Sequence, residues 1–275
     1  MRNAVASGSM YPADADELSG TISELLNKAV VNPKDIGNAV AYIAPHADYK
    51  YSGLVAAHAY KALSLSKALK DVDTFVIVGP NHNGIGTRIS VSKDSWQTPL
   101  GEVEIDNEFA DELLAMSVGM LEDEEGHRLE HSIEVQLPFL QSIVKRPKCC
   151  FISMLDQTED ASRAVAQDVD AVRKRLNRDI MFIATSDLNH DESADIAMEK
   201  DTPLLEKLSA FDTKGFYSEL NNRRDSACGF GPMAAAEQYS KQRKARTGKM
   251  LKYATSGDVT GDRSSVVGYA SMAFA

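Results

Sequence analysis

Apolar residues recur along this chain in two alternating rhythms. Residues 13–30 carry Leu18, Ile22, Leu25, Leu26 and Ala29 at helical spacing, which predicts an amphipathic helix. Asp14 suits its N-cap, with Glu17 as the capping-box partner, and Asn32-Pro33 ends it. Short apolar runs at 40–44, 74–78, 149–155 and 180–184 then read as strands. Segments 53–69, 108–117, 132–144 and 161–176 read as helices between them. Such alternation predicts an α/β fold of three layers, with a mainly parallel or mixed central sheet and helices on both faces. Residues 89–105 break the rhythm: they alternate, carry Trp96, and turn at Thr98-Pro99-Leu100-Gly101, as an inserted hairpin would. Toward the end, 232–245 reads as a helix whose last turn belongs to the basic stretch 241–249, and 266–274 as a final strand. No repeat, low-complexity stretch or linker interrupts the pattern, so residues 1–275 are expected to form a single domain.

Composition narrows the class. The chain is 43% hydrophobic, enough for a sizeable core, and its net charge is −10. An acidic surface disfavours nucleic acid and anionic membrane as partners. The four acids at 122–125 read as a solvated loop. Three cysteines do not form a disulfide framework and suit a reducing compartment. Cys149 and Cys150 are adjacent in a strand, so they point to opposite faces as small hydrophobes. No basic leader precedes an apolar stretch, and no apolar run approaches the roughly 20 residues that span a bilayer. A cytoplasmic location is expected.

Chemistry concentrates after the strands. Among six histidines, His46 follows Ala44-Pro45, His82 follows Gly79-Pro80-Asn81, and His190 lies beyond Thr185-Ser186-Asp187. In a parallel sheet the carboxyl ends of the strands share one edge, and ligands bind there. Imidazole is the commonest metal ligand and an acid/base near neutral pH. Cys228, in Ser226-Ala227-Cys228-Gly229-Phe230-Gly231-Pro232, precedes a helix whose first turn takes Pro232. The helix dipole there is expected to favour the thiolate. Glu130-His131-Ser132-Ile133-Glu134 opens a helix. Ser132 is placed near the cap, His131 as a residue that orients or contacts substrate, and Glu134 as a carboxylate behind a ligand. His58, within a helix, and His127, in an acidic loop, are read as structural or exposed. Walker, dinucleotide, Cys-x-x-Cys and nucleophile-elbow motifs are absent.

These pieces, in order, resemble the MEMO family over essentially the whole chain. The resemblance rests on Ala6-Ser7-Gly8-Ser9-Met10-Tyr11-Pro12, Ala44-Pro45-His46-Ala47-Asp48-Tyr49, Gly79-Pro80-Asn81-His82, Thr98-Pro99-Leu100-Gly101, Glu130-His131-Ser132-Ile133-Glu134, Thr185-Ser186-Asp187, Cys228-Gly229 and Thr255-Ser256-Gly257-Asp258. That family is similar in fold to the class III extradiol dioxygenases, the LigB-like non-haem iron enzymes. The resemblance implies one transition-metal ion, iron or copper before zinc, held by His46, His82 and Cys228. It also implies acid/base work by His190 beside Asp187. Cys228 stands where the dioxygenases carry a carboxylate, which loosens the tie to oxygenase chemistry.

Three functions follow as expectations. The first is a metal-dependent, dioxygenase-like redox enzyme in which His190 is oriented by Asp187. The second is a non-catalytic binding module for an anionic or phosphotyrosine-like ligand, rimmed by Tyr49 and Tyr51. The third is a metal-free enzyme with Cys228 as nucleophile. In each, the partner is a small molecule or peptide in the pocket.

Overall fold

Asp14 accepts hydrogen bonds from the N–H groups of Asp16 and Glu17 at 3.0 and 2.9 Å, and so starts the first helix. The computed structural model describes residues 1–275, the side chain of Asp35 apart. In chain order the elements are α1 (Ala15–Lys28), β1 (Ala41–Ala44), α2 (Tyr49–Leu65), β2 (Thr74–Pro80), β3 (Ile89–Ser92), β4 (Trp96–Thr98), β5 (Gly101–Ile105), α3 (Asn107–Met116), β6 (Leu121–Glu122) and α4 (Glu125–Arg128). There follow α5 (Leu137–Ile143), β7 (Lys148–Met154), α6 (Glu159–Leu176), β8 (Ile180–Thr185), α7 (Ala194–Ser209), α8 (Thr213–Arg223), α9 (Phe230–Gln242), β9 (Gly248–Thr255), α10 (Gly257–Thr260) and β10 (Gly268–Phe274).

The strands form one mixed sheet in the order β4-β5-β7-β2-β8-β1-β10-β9, with β3 pairing both β7 and β6. Its centre is parallel: β1 and β2 both pair with β8, and β2 pairs with β7. One flank is antiparallel, with β10 on β1 and β9 on β10, while the other is mixed: β5 lies parallel and β3 antiparallel to β7, and β4 is antiparallel to β5. β2, β8 and β10 are buried at every position, as strands covered on both faces must be. α2 packs on β1, β9 and β10 with α1 and α5 beside it, while α9 packs on β1, β2 and β8 with α6 beside it. The three-layer α/β expectation therefore holds. Among the described residues no helix is long and apolar enough to cross a membrane.

Three local expectations are corrected. The helix expected over 132–144 is a 3-10 turn, Glu134–Gln136, leading into the shorter α5. Ser132 caps nothing there, because its hydroxyl donates to the Pro80 carbonyl at 3.1 Å. The helix expected over 232–245 is α9, with Lys241 in its last turn, but it ends at Gln242; Lys244 adopts a left-handed φ of 63°, and the rest of the basic stretch leads into the sheet as β9. Two helices, α7 and α8, fill residues 194–223, where narrow apolar faces (Leu204, Leu205, Leu208; Phe216, Leu220) gave a weak periodic signal.

The amino terminus is clamped from within. The Arg2 guanidinium lies 2.7 Å from Glu134 Oε2, donates to the His127 carbonyl at 2.7 Å and also to the Glu130 carbonyl, and sits 3.9 Å over the Trp96 ring. Glu134 also accepts from the N–H groups of Val5 and Ala6 and from the Tyr11 hydroxyl at 2.7 Å. Both charges are buried, so removing one leaves the other without its counter-charge. Arg2→Ala is expected to destabilise the fold by about 3–5 kcal/mol, measured by urea unfolding. A change within about 0.5 kcal/mol, the range of surface substitutions, would show that the clamp does not matter.

Candidate metal centre

β1, β8 and β2 are adjacent and in register, with Ala44 beside Thr185 and Ala184 beside Val78. Their chains therefore leave the sheet at one edge. His46, Asp187 and His82 each lie two residues beyond the last strand position. His131 and Cys228 arrive from the loops before α5 and α9. The His46 ring centroid is 5.1 Å from that of His82 and 5.5 Å from that of His131, and His82 stacks on His131 at 4.8 Å. Cys228 Sγ stands 3.0 Å from His46 Nε2. Two groups of side chains have donor atoms close enough to share an ion: His46, His82 and His131, and His46, Asp187 and Cys228.

Each ring is held from behind. His46 Nδ1 is 2.9 Å from Thr185 Oγ1, which also accepts from Gln136 Nε2 at 3.0 Å. His82 Nδ1 is 2.9 Å from Glu130 Oε1, and its backbone N–H donates to Glu130 Oε2 at 2.6 Å. The N–H groups of His131 and Ser132 also donate to Glu130. Burial alone would raise the Glu130 pKa, but the His82 ring and these backbone donors overcome it and hold the carboxyl at about 2. Burial likewise opposes a charge on His82, yet Glu130 outweighs it and raises the ring's pKa. His46 and His131 have theirs lowered, chiefly by burial and then, for His46, by the neighbouring imidazoles. A carboxylate only accepts, so neutral His82 keeps its proton on Nδ1 and turns a bare Nε2 outward.

Close approach at this edge depends on two glycines. A Cβ at Gly79 would lie 2.5 Å from Ser132 Oγ, and one at Gly229 would lie 2.3 Å from the Thr185 carbonyl. Gly229 lets its loop dock on the end of β8, where its N–H donates to Ser186 Oγ at 2.8 Å and the Cys228 N–H donates to the Asp187 carbonyl at 3.2 Å. From the other side Gln157 donates to the Cys228 carbonyl at 2.8 Å.

A family model described as Memo-like protein matches residues 2–273. The chain belongs to the MEMO family. It is 39% identical over 273 residues to a MEMO1 family protein of Methanosarcina mazei, covering 99% of this chain and 98% of that one. It is 40% identical over 286 residues to MEMO1 family protein MK0963 of Methanopyrus kandleri, covering 99% and 98%. A MEMO1 family protein of Sulfurisphaera tokodaii is 43% identical over 240 residues, covering 86% and 83%. In fold the chain is similar to the crystal structure of the uncharacterized protein JW3007 from Escherichia coli K12. The TM-score there is 0.57 with 12% identity, over 86% of this chain and 99% of that one.

Several sequence-based expectations about this MEMO family member need revision. The helix dipole does not leave Cys228 acidic: burial, then the negative Asp187, pushes the thiol well above its ordinary value. Asp187 does not orient His190 by a hydrogen bond. Its Oδ1 accepts the His46 N–H at 2.9 Å, and its Oδ2 lies 4.0 Å from His46 Nε2. Burial raises its pKa to about 6. His190 is half-buried and held instead by Ser226, whose hydroxyl accepts its N–H at 2.8 Å and whose carbonyl accepts from Nδ1 at 3.2 Å. Glu134 stands behind no ligand, since Arg2 and the first residues saturate it. Tyr49 lines a groove with Asp48 and Lys50, but its ring is buried and its hydroxyl donates to the Val135 carbonyl at 2.6 Å, so that hydroxyl is not offered to a ligand. His58 and His127 are structural and buried, bonded to the Leu54 and Ser90 carbonyls.

Glu130, Thr185, Gln136 and Ser226 were not singled out from the sequence as supports. Glu130, Thr185 and Ser226 lie in the same motifs as His131, Asp187 and Cys228, and that adjacency was their signal. Because Glu130 sits at about 2 against an ordinary 4.5, the unfolded chain binds more protons in that window. Its stabilising contribution is present above pH 4.5 and lost as pH falls toward 2. Glu130→Gln is expected to flatten the pH dependence of unfolding across that window and to lower the His82 pKa in NMR titrations of metal-free protein. An unchanged His82 titration would refute the coupling.

Proposed function

We propose that this edge binds one transition-metal ion through His46, His82 and Cys228 and uses it in redox chemistry on a small-molecule or peptide ligand. The observation that carries the reading is a pair of adjacent imidazoles, each tied at Nδ1 by a buried oxygen partner, with the Cys228 sulfur 3.0 Å from His46 Nε2; His46 belongs both to the donor group with His82 and His131 and to the one with Asp187 and Cys228, and in this reading it joins them around one ion. Metal-ligating histidines are oriented in this way. The donor set fits a cation on charge as well. Cys228 and Asp187 share a buried site whose ion-pairing partner among the described residues is an imidazole. A thiolate there needs a positive charge that neutral His46 does not supply. The same argument disfavours the metal-free nucleophile, because a buried thiol beside a carboxylate stays protonated.

Two imidazoles and a thiolate suit iron, copper or zinc, and we favour iron or copper because the family resemblance implies a likeness to non-haem iron dioxygenases. Such an ion would act as a Lewis acid or redox centre for a bound ligand. The protein's own part is positional. Glu130 and Thr185 aim the rings, and Asp187 fixes the His46 backbone. His131, stacked on His82, offers a further nitrogen to the ion or to its ligand. His190, whose Nδ1 donates to the Ser226 carbonyl, would in this reading use its Nε2 to take a proton from substrate. Three free cysteines suit the reducing cytoplasm.

Protein purified without chelator is expected to carry one ion per chain by elemental analysis. A His46→Ala, His82→Ala double variant should carry none, and Glu130→Gln should bind about 10–100-fold more weakly. Because His82 must lose its proton to bind and its pKa is raised, affinity should climb as pH rises through the neutral range. Full metal content in the double variant would sink the proposal.

A further inference from the structure

Next to the His190 and Cys228 segments lies a carboxyl pair that the metal reading does not use. Asp201 on α7 is fully buried, and Asp225, just before the Cys228 loop, is half-buried. The two carboxyls act on each other's titration as hydrogen-bond partners. Two carboxylates cannot make that bond unless one of them carries a proton. The remaining oxygens are committed. Asp201 Oδ1 accepts the Asn189 N–H at 3.0 Å, Asp201 Oδ2 accepts the Tyr253 hydroxyl at 2.7 Å, and Asp225 Oδ1 accepts the Ala227 N–H at 2.8 Å. Asp225 Oδ2 is buried and has no donor among the described residues. Gly268 is bare where Asp201 approaches β10, since a Cβ there would lie 2.2 Å from Asp201 Oδ2.

The pair thus ties together two segments of different origin. Asn189 precedes His190, and Ala227 precedes Cys228, with Ser226 between the carboxyl and the thiol holding His190 at both its N–H and its ring. We propose that Asp201 and Asp225 share a single proton, and that this proton is a clamp positioning the His190 and Cys228 segments against each other. The groups that face it are Tyr253 from β9, Lys200 from α7, and Glu192, whose carboxylate Lys200 meets at 2.8 Å; Asp258 lies beyond Tyr253. Lys200 is engaged with Glu192 and does not replace the shared proton. Burial, reinforced by Asp225, raises the Asp201 pKa from 3.8 to about 7. Opening the clamp therefore releases a proton between those two values. The clamp is tight in acid and slackens as pH rises toward 7, with no further change above it.

Asp225→Asn tests this directly. Its amide keeps the carbonyl that Ala227 donates to and puts a permanent N–H where the shared proton lies. Amide hydrogen exchange, corrected for its intrinsic pH dependence, would be followed at residues 189–191 and 225–228. Full-length protein would be used, both as purified and after chelation. In the wild type, protection is expected to fall by up to about tenfold per pH unit from roughly pH 4.5 to 7. It should be flat in Asp225→Asn and low throughout in Asp225→Ala. Equal slopes in the wild type and Asp225→Asn would overturn the proposal. So would a slope that disappears after chelation, since the metal and not the carboxyl pair would then set it. Failure to bind metal, by contrast, would count against the proposed function and leave the clamp untouched.

Discussion

Parallel pairing of β1, β2 and β8 in register is the constraint on which the site depends. Backbone hydrogen bonds between these strands align Ala44 with Thr185 and Val78 with Ala184. Side chains a fixed step beyond the strand ends are then forced into one small volume. Nothing in the loops themselves would bring His46 within 5.1 Å of His82. A slip of one residue in either pairing would turn one ring away from the edge.

That forced proximity is electrostatically costly, and the surroundings are arranged to offset it. Burial keeps His46 and His131 neutral, so three imidazoles can share one cleft without mutual repulsion. The one ring whose pKa is raised, His82, faces the carboxylate with the most donors, Glu130. Glu130 is in turn secured by the loop that Arg2 and Glu134 clamp to the amino terminus. The order of dependence runs from the chain's first residues through a buried ion pair to the aim of a candidate ligand. On the opposite side, the Asp201–Asp225 pair and Gln157 hold the Cys228 loop. Both halves of the site are thus supported by hydrogen bonds, buried at Glu130 and Thr185 and part-buried at Gln157 and Asp225, and the buried ones are the hardest to replace.

The strand–helix rhythm was legible because apolar runs and amphipathic periods depend on local spacing, and the residues at strand ends could be named for the same reason. The helices α7 and α8, the break of 132–144 into a 3-10 turn and α5, and strand β9 were not. Their conformations are decided by what packs on them, as with Ser132 bonding to Pro80 in place of capping a helix. The sign of the Cys228 shift was misread for a related reason. A helix dipole can be inferred from sequence, but the depth of burial and the nearness of Asp187 cannot.

By itself the sequence determined which residue types follow which strands, and the order of motifs that marks the MEMO family, because these are properties of neighbours along the chain. Tertiary structure alone decided which carboxylate serves which partner: Glu130 for His82, Glu134 for Arg2, Asp187 for the His46 backbone, and Asp201 for Asp225. Those pairings join residues from 24 to 141 positions apart. The free energy of burying a charge depends on what surrounds it in space, and separation along the chain carries no record of that.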